Sequence, residues 1–178
     1  MTTYVALLRS INVGGRRSLK MTDLKAIIEK AGGSSVTTYI QSGNAVFSHP
    51  ARSVAALETE LERCIESASG MDVPVVLRSA AQWGEIVAKN PFPKAGDKHL
   101  HVVLLKQRLA KDAFEGLDLQ SFLPEELAAC TQHLYLHLPN GMGRAKLPIA
   151  LSRRGSNVGT ARNWNTVLAL AKLAKSIG

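Results

Sequence analysis

Basic and amide side chains recur in the predicted loops of this chain, beside glycines that let a backbone approach a ligand. The residues of this loop set are Arg9, Asn12, Gly14, Gly15, Gln41, Ser42, Asn44, Arg144, Arg162 and Asn163. Guanidinium and amide groups form hydrogen bonds but do not exchange protons near neutral pH. The set therefore predicts ligand binding better than catalysis, with the alternative that the amides only hold loops to one another.

The stretch from Arg153 to Lys175 is where we expect an anion to bind. Its apolar spacing from Trp164 onward predicts a helix, and Thr160 is a suitable N-cap residue. Arg162 and Asn163 would then lie in the first helical turn, whose unpaired N–H groups and dipole favour negative charge. The arginines beside this turn complete a predicted anion cradle.

The net charge of +8 is concentrated at the two ends of the chain. Residues 1–20 contain four basic residues and residues 127–178 contain seven, and neither segment contains an acidic residue. Residues 21–126 contain 11 basic and 14 acidic residues. This distribution predicts an anionic partner, either nucleic acid or a phosphorylated small molecule, with the alternative that the charge only maintains solubility.

The sequence carries no recognisable catalytic motif. Ser42 lies in IQSGN, which differs from the nucleophile elbow G-x-S-x-G, and the glycine-rich loops lack the pattern of a nucleotide phosphate-binding loop. The acidic residues of the second predicted helix are expected to form its solvent-exposed face; they are Glu58, Glu60, Glu62 and Glu66. The sequence thus favours a protein that is not an enzyme, leaves the question of a reaction open, and predicts no cofactor.

Four histidines alternate along two predicted strands, His99 and His101 in one and His133 and His137 in the other. A period of two places each pair on one face of its strand. Four imidazoles would suit zinc if the strands were adjacent. No cysteine or carboxylate stands between the two histidines of either pair, so the sequence predicts no metal site and leaves open whether the four histidines converge.

Length and composition predict a globular, cytoplasmic protein. The 178 residues can form one domain or two small ones, and no apolar run is long enough to cross a bilayer. The first 15 residues lack the pattern of a signal peptide. Cys64 and Cys130 lie outside any metal or redox spacing, as expected in a reducing cytosol. Nothing in the sequence indicates the oligomeric state.

The first 78 residues alternate strands and helices in the order of a ferredoxin-like unit. A strand over residues 3–9, apolar through Leu8 and so buried on both faces, is followed by a helix that Thr22 caps. Two strands then flank residues 41–44, which form either a hairpin turn or a glycine bulge. A helix capped by Ser53 and the strand VPVVLRS complete the order βαββαβ.

Residues 79–178 are predicted to form a second unit of similar type. A capping box at Ser79 and Gln82 begins a helix, and the strands LHVVLLK and HLYLHL follow, with short helical pieces between them. RAKLPIAL is expected to be a further strand, which leaves this unit one strand short. We therefore predict an α+β protein of two ferredoxin-like units with antiparallel sheets, at residues 1–78 and 79–178, and hypothesise that the units share strands.

Five segments of the chain also resemble successive motifs of a bacterial protein family. They are YVALLRSINVGGRR, TYIQSGNAVF, NPFP, LYLHLPNGMGRAKL and TARNWNTVLALAKLA. In this order they are similar to the family known as domain of unknown function 1697, over nearly the whole chain. The resemblance implies a small bacterial protein of two ferredoxin-like units and supplies no catalytic residue. Its signature positions coincide with the loop set and add Gly43 and Trp164.

These observations lead to the hypothesis that the protein binds an anionic ligand, nucleic acid or a phosphorylated small molecule, at its basic, glycine-rich loops. Arg9, Arg144 and Arg162 would contact phosphate, and the amides of the loop set would fix the orientation of the ligand. Two alternatives stay open. One is an enzyme acting on a phosphorylated metabolite, and the other is a structural or oligomerising module without a ligand.

Overall fold

The structure, a computed structural model, describes residues 1–12, 14, 17–153 and 159–177. It divides into a first unit, of residues 1–88 with the last helix from Leu168 onward, and a second unit, of residues 89–167. We placed the boundary after residue 78. The first unit extends ten residues further because the helix that follows residue 79 packs against two strands of its sheet.

The described residues form eight strands and five α-helices. Up to residue 88 they are β1 (Thr2–Leu8), α1 (Met21–Lys30), β2 (Ser34–Tyr39), β3 (Asn44–His49), α2 (Val54–Ser69), β4 (Val75–Ser79) and α3 (Ala80–Ala88). The later elements are β5 (Leu100–Leu105), β6 (Glu126–Ala129), β7 (His133–His137), α4 (Leu147–Arg153), β8 (Gly159–Asn163) and α5 (Trp164–Ile177), with 3-10 turns at Leu119–Phe122 and Met142–Arg144. None of these helices has the length and apolar character that crossing a membrane requires.

The first unit confirms the predicted βαββαβ order, with an antiparallel sheet of strand order β2-β3-β1-β4. Residues 40–43 form a hairpin turn between β2 and β3, so the bulge alternative is not what occurs. The hydroxyl of Ser53 caps α2 by accepting the N–H of Ala56 at 3.3 Å. The helix α1 begins at Met21 rather than after Thr22, and its N-cap residue makes no side-chain cap.

The sheet of the second unit has the strand order β6-β7-β5-β8, which is the order β2-β3-β1-β4 of the first unit with each strand replaced by its counterpart. Both units are ferredoxin-like. The expectation of a missing strand is wrong because β6 forms where we expected only helical pieces and β8 forms where we expected a helix to start. Among the described residues each sheet consists of four strands from its own unit, so strands are not shared. The cap of α5 is Asn163 rather than Thr160, and its Oδ1 accepts the N–H of Thr166 at 2.9 Å.

The segment RAKLPIAL, which we expected to be a strand, contains the start of α4 instead. Glu125 accounts for this difference. Its carboxylate accepts the backbone N–H of Lys146 at 2.9 Å and that of Leu147 at 2.8 Å, which are donors that a helix start leaves without a helical partner. Pro148 lies in the first turn, where its missing N–H costs no hydrogen bond. The cap comes from 22 residues earlier in the chain, so no local pattern reveals it.

Each unit builds a core on one face of its sheet. In the first unit β1 contributes Tyr4, Ala6 and Leu8 to a cluster that the inner faces of α1 and α2 complete. In the second unit the core contains Leu136 and Leu147, with partly buried residues of β5, β6 and α4 around them. As predicted, β1 is buried on both faces, since every residue from position 4 to position 8 is buried.

Replacing Glu125 by alanine is expected to lower the free energy of unfolding by about 1–3 kcal/mol, because two backbone donors at the start of α4, that of Leu147 being buried, lose a charged acceptor. Glu125→Gln should lose less, since an amide oxygen can still accept. The control is Glu126→Ala, which removes the same charge from the neighbouring residue, whose side chain is half exposed. Urea unfolding followed by circular dichroism measures all three, and equal stability of Glu125→Ala and Glu126→Ala would contradict the capping role.

Candidate anion-binding site

The predicted site residues fall into two groups that belong to different units. Those of the first unit lie in the loop after β1, in the turn between β2 and β3 and at the first position of β3; they are Arg9, Asn12, Gly14, Gln41, Ser42 and Asn44. Those of the second unit are Arg144, Arg162 and Asn163. Gly15 lies outside the described residues.

Asn12 joins the two segments of the first group. Its Nδ2 donates to the carbonyl of Leu19 at 2.9 Å and to the carbonyl of Gln41 at 2.7 Å, and its Oδ1 accepts the N–H of Leu19 at 2.9 Å. The backbone of Asn12 is left-handed, with φ +55°, a conformation that asparagine tolerates better than most residues. The amide therefore fixes the β1–α1 loop, residues 9–20, onto the β2–β3 turn, residues 40–43.

A second asparagine, Asn44, stabilises the turn through hydrogen bonds of its side chain. Nδ2 of the fully buried Asn44 donates to the carbonyl of Tyr39 at 3.0 Å and to Oγ of Ser42 at 2.9 Å. Gly43 has φ +74°, and a Cβ there would lie 2.8 Å from Cβ of Leu8, so this position requires glycine. The buried amide of Asn44 therefore stabilises the β2–β3 turn.

Cationic side chains surround this joined pair of segments, which we call the loop platform (residues 9–12, 14, 17–20 and 40–43). Arg9 is half-buried, whereas Arg17 and Lys20 are exposed. The guanidinium of Arg17 donates to the carbonyl of Asp72, and its own carbonyl accepts the N–H of Asn12 at 3.1 Å. Gly14, with φ +63°, has open space where a Cβ would stand, so its backbone is accessible to a ligand. The loop platform thus combines fixed positive charge with accessible backbone.

The predicted site residues of the second unit have a different environment. Arg162 is only 9% exposed, and its Nη1 donates to Oγ1 of Thr160 at 2.7 Å and to the carbonyl of Ala161 at 2.8 Å. Burial lowers the pKa of Arg162 to about 10, since a low dielectric disfavours the charged form. Asn163 caps α5, and Arg144 is exposed at the end of a 3-10 turn. Arg162 and Asn163 therefore both stabilise the end of β8.

The strand register shows that the four histidines do not converge. In the β5–β7 pair, His137 is opposite Leu100, a buried position, and His133 lies four residues before it in β7, on the same face. His101 is opposite Leu136, on the other face, and burial lowers its pKa. Among the described residues no group of three or more candidate ligands could hold a metal ion.

Two glutamates that we expected in solvent have a structural task instead. Glu58 is 3% exposed and accepts the N–H of Leu77 at 2.8 Å, and Glu62 accepts the N–H of Val75 at 2.8 Å. Both acceptors lie on α2 and both donors on β4, the edge strand of the first sheet. Their spacing of four residues was the only signal in the sequence, and it is equally typical of an exposed helix face.

Comparison with known proteins identifies a family and a fold. A family model described as "Protein of unknown function (DUF1697)" matches residues 1–135. The structure is similar to that of a conserved bacterial protein from Streptococcus pneumoniae, with a TM-score of 0.72 and 20% sequence identity over 97% of this chain and 98% of that one. No curated protein matches the sequence. The structural likeness, at this identity, establishes the fold alone.

Asn12→Asp is expected to lower the free energy of unfolding by about 1–3 kcal/mol, because aspartate keeps the acceptor for Leu19 and the tolerance for a left-handed backbone but loses both donated hydrogen bonds. Asn140→Asp makes the same chemical change at an exposed turn position and serves as the control. Thermal unfolding compares the two variants. Equal melting temperatures would show that the Asn12 amide does not hold the loop.

Proposed function

The chain belongs to the family described as Protein of unknown function (DUF1697), and we propose that it binds the phosphate group of an anionic ligand at the loop platform of its first unit. The observation that carries the proposal is the amide of Asn12. By bonding Leu19 and Gln41 at once, it fixes a loop without acidic residues against a polar turn. A loop fixed in advance loses little conformational entropy when a ligand binds.

Three kinds of group on the loop platform suit phosphate oxygens. Arg9 and Lys20 supply positive charge, and guanidinium is suited to bidentate contact with phosphate. The exposed amide of Gln41 can fix the orientation of the ligand. The backbone N–H of the left-handed Gly14 can contribute a further donor, as in other anion-binding loops. Arg144 is exposed in the second unit and is not part of the loop platform.

Binding without catalysis is the form of the proposal that these residues favour. Arginine, lysine and the amides of the loop platform neither form a covalent intermediate readily nor transfer a proton near neutral pH. We also place the protein in the cytoplasm, because Cys64 and Cys130 are both partly buried and both free thiols, which suits a reducing compartment.

Arg9→Ala is expected to weaken binding of a fluorescent single-stranded RNA, of a nucleoside diphosphate, or of both, by about tenfold, since it removes a charged hydrogen bond to phosphate. Arg63→Ala serves as the control because it removes the same charge from an exposed position on α2. Fluorescence anisotropy, repeated at several salt concentrations, gives the affinities.

The salt dependence separates the two ligand classes. If RNA binds, log affinity falls with log salt by about 0.7 per phosphate neutralised, and Arg9→Ala should reduce that slope. A nucleoside diphosphate that binds more tightly than RNA would indicate a phosphorylated small molecule. If Arg9→Ala and Arg63→Ala bind every anion equally well, the loop platform is not the binding site.

A further inference from the structure

The strands β4 and β8 occupy equivalent edges of the two sheets. The N–H of Leu8 donates to the carbonyl of Gly43 at 2.8 Å, and the N–H of Leu105 donates to the carbonyl of Gln132 at 2.9 Å. Leu8 of β1 and Leu105 of β5 are therefore equivalent positions, and the two strands direct their backbone groups alternately to their two neighbouring strands in the same way. The registers then match Val75, Leu77 and Ser79 of β4 with Gly159, Ala161 and Asn163 of β8. In both strands these three residues direct their N–H groups away from the sheet.

In the first unit all three outward N–H groups have acceptors from side chains. Glu62 and Glu58, four residues apart on α2, accept from Val75 and Leu77, each at 2.8 Å. Oε1 of Gln82 accepts from Ser79 at 2.9 Å. This edge is therefore occupied, and Leu77 is fully buried beneath α2.

In the second unit the equivalent edge has no such acceptors. Ala161 and Asn163 are exposed, and no hydrogen bond in the described part of the chain reaches the N–H group of either residue. The helix at the corresponding place in the element order, between β7 and β8, is α4, whose seven residues, LPIALSR, include no acid. No acidic residue occurs after Glu126. The chain thus builds two outward donors in a basic region without supplying the carboxylates that its own first unit uses.

We propose that the outer edge of β8 binds an acidic helix of a partner protein, which places two carboxylates, four residues apart, on this edge. The first unit supplies the geometric precedent in α2. Charge complementarity favours the same occupant, because the guanidinium of Arg162 lies at this edge and no acidic residue occurs after Glu126. An incoming β-strand fits less well, since Nη1 of Arg162 already donates to the outward carbonyl of Ala161 at 2.8 Å.

The probe that tests this proposal is a synthetic peptide of residues 53–70, with Cys64→Ser, whose Glu58 and Glu62 have the required spacing. A second peptide carries Glu58→Gln and Glu62→Gln. A third peptide carries Glu60→Gln and Glu66→Gln and so has the same net charge as the second. Nuclear magnetic resonance titration of the labelled full chain follows the backbone amides of Ala161 and Asn163. We expect the first and third peptides to shift these two resonances and the second to bind at least tenfold more weakly.

Two variants of the protein complete the test. Ala161→Pro removes one outward N–H without a loss to the sheet, and should weaken binding about tenfold. Its control is Ala129→Pro, an exposed position on the opposite edge strand β6. Ala161→Asp keeps the N–H and should weaken binding by charge repulsion. This variant still tests the site if the proline variant does not fold. Any one of three results would overturn the proposal. They are equal affinity of the second and third peptides, unchanged binding by both Ala161 variants, and no shift of the two resonances at millimolar peptide.

Discussion

Backbone groups that neither a helix nor a sheet can satisfy must find other hydrogen-bond partners, and in this protein remote side chains supply them. Asn12 joins a loop to a turn 29 residues away, and Glu58 reaches an edge strand 19 residues further along. Glu125 caps a helix that starts 22 residues later. Each contact joins two segments that are distant in the sequence. The positions of the loop platform and of the helix α4 both follow from this requirement.

The same requirement explains which parts of the fold the sequence predicts. Local signals predicted the element order of the first unit, and they identified Ser53 as the cap of α2 and Ser79 with Gln82 as the capping box of α3. The second unit was predicted less well because its decisive contacts are not local. The strand β8 forms through pairing with β5, although Thr160 reads as a helix cap in isolation.

The candidate site shows a similar limit. Residue type alone grouped Arg9 with Arg162 and Asn12 with Asn163, yet burial and hydrogen bonds separate these pairs. Arg162 is buried and bonded to its own strand, whereas Arg9 is partly accessible. Amide side chains in loops are suited both to binding a ligand and to holding a backbone, and only the positions of the acceptors distinguish the two tasks.

The two units share one strand order but differ in how the outward N–H groups of their edge strands β4 and β8 are bonded. In the first unit the carboxylates of Glu58 and Glu62 accept from the edge strand β4, and the basic residues Arg9 and Lys20 lie in the loop platform. The second leaves the edge of β8 open among basic residues. Both proposals therefore rest on residues that differ between the units and not on the shared strand order, because function depends on the sites that a fold carries rather than on the fold.

The most direct test of the central claim is a titration of the labelled full chain with inorganic phosphate, followed through its backbone amide resonances. If the loop platform binds phosphate, the largest shifts will occur within residues 9–20 and 40–43, and they will diminish in Arg9→Ala. Shifts confined to the second unit, or no shifts at millimolar phosphate and low salt, would contradict the account.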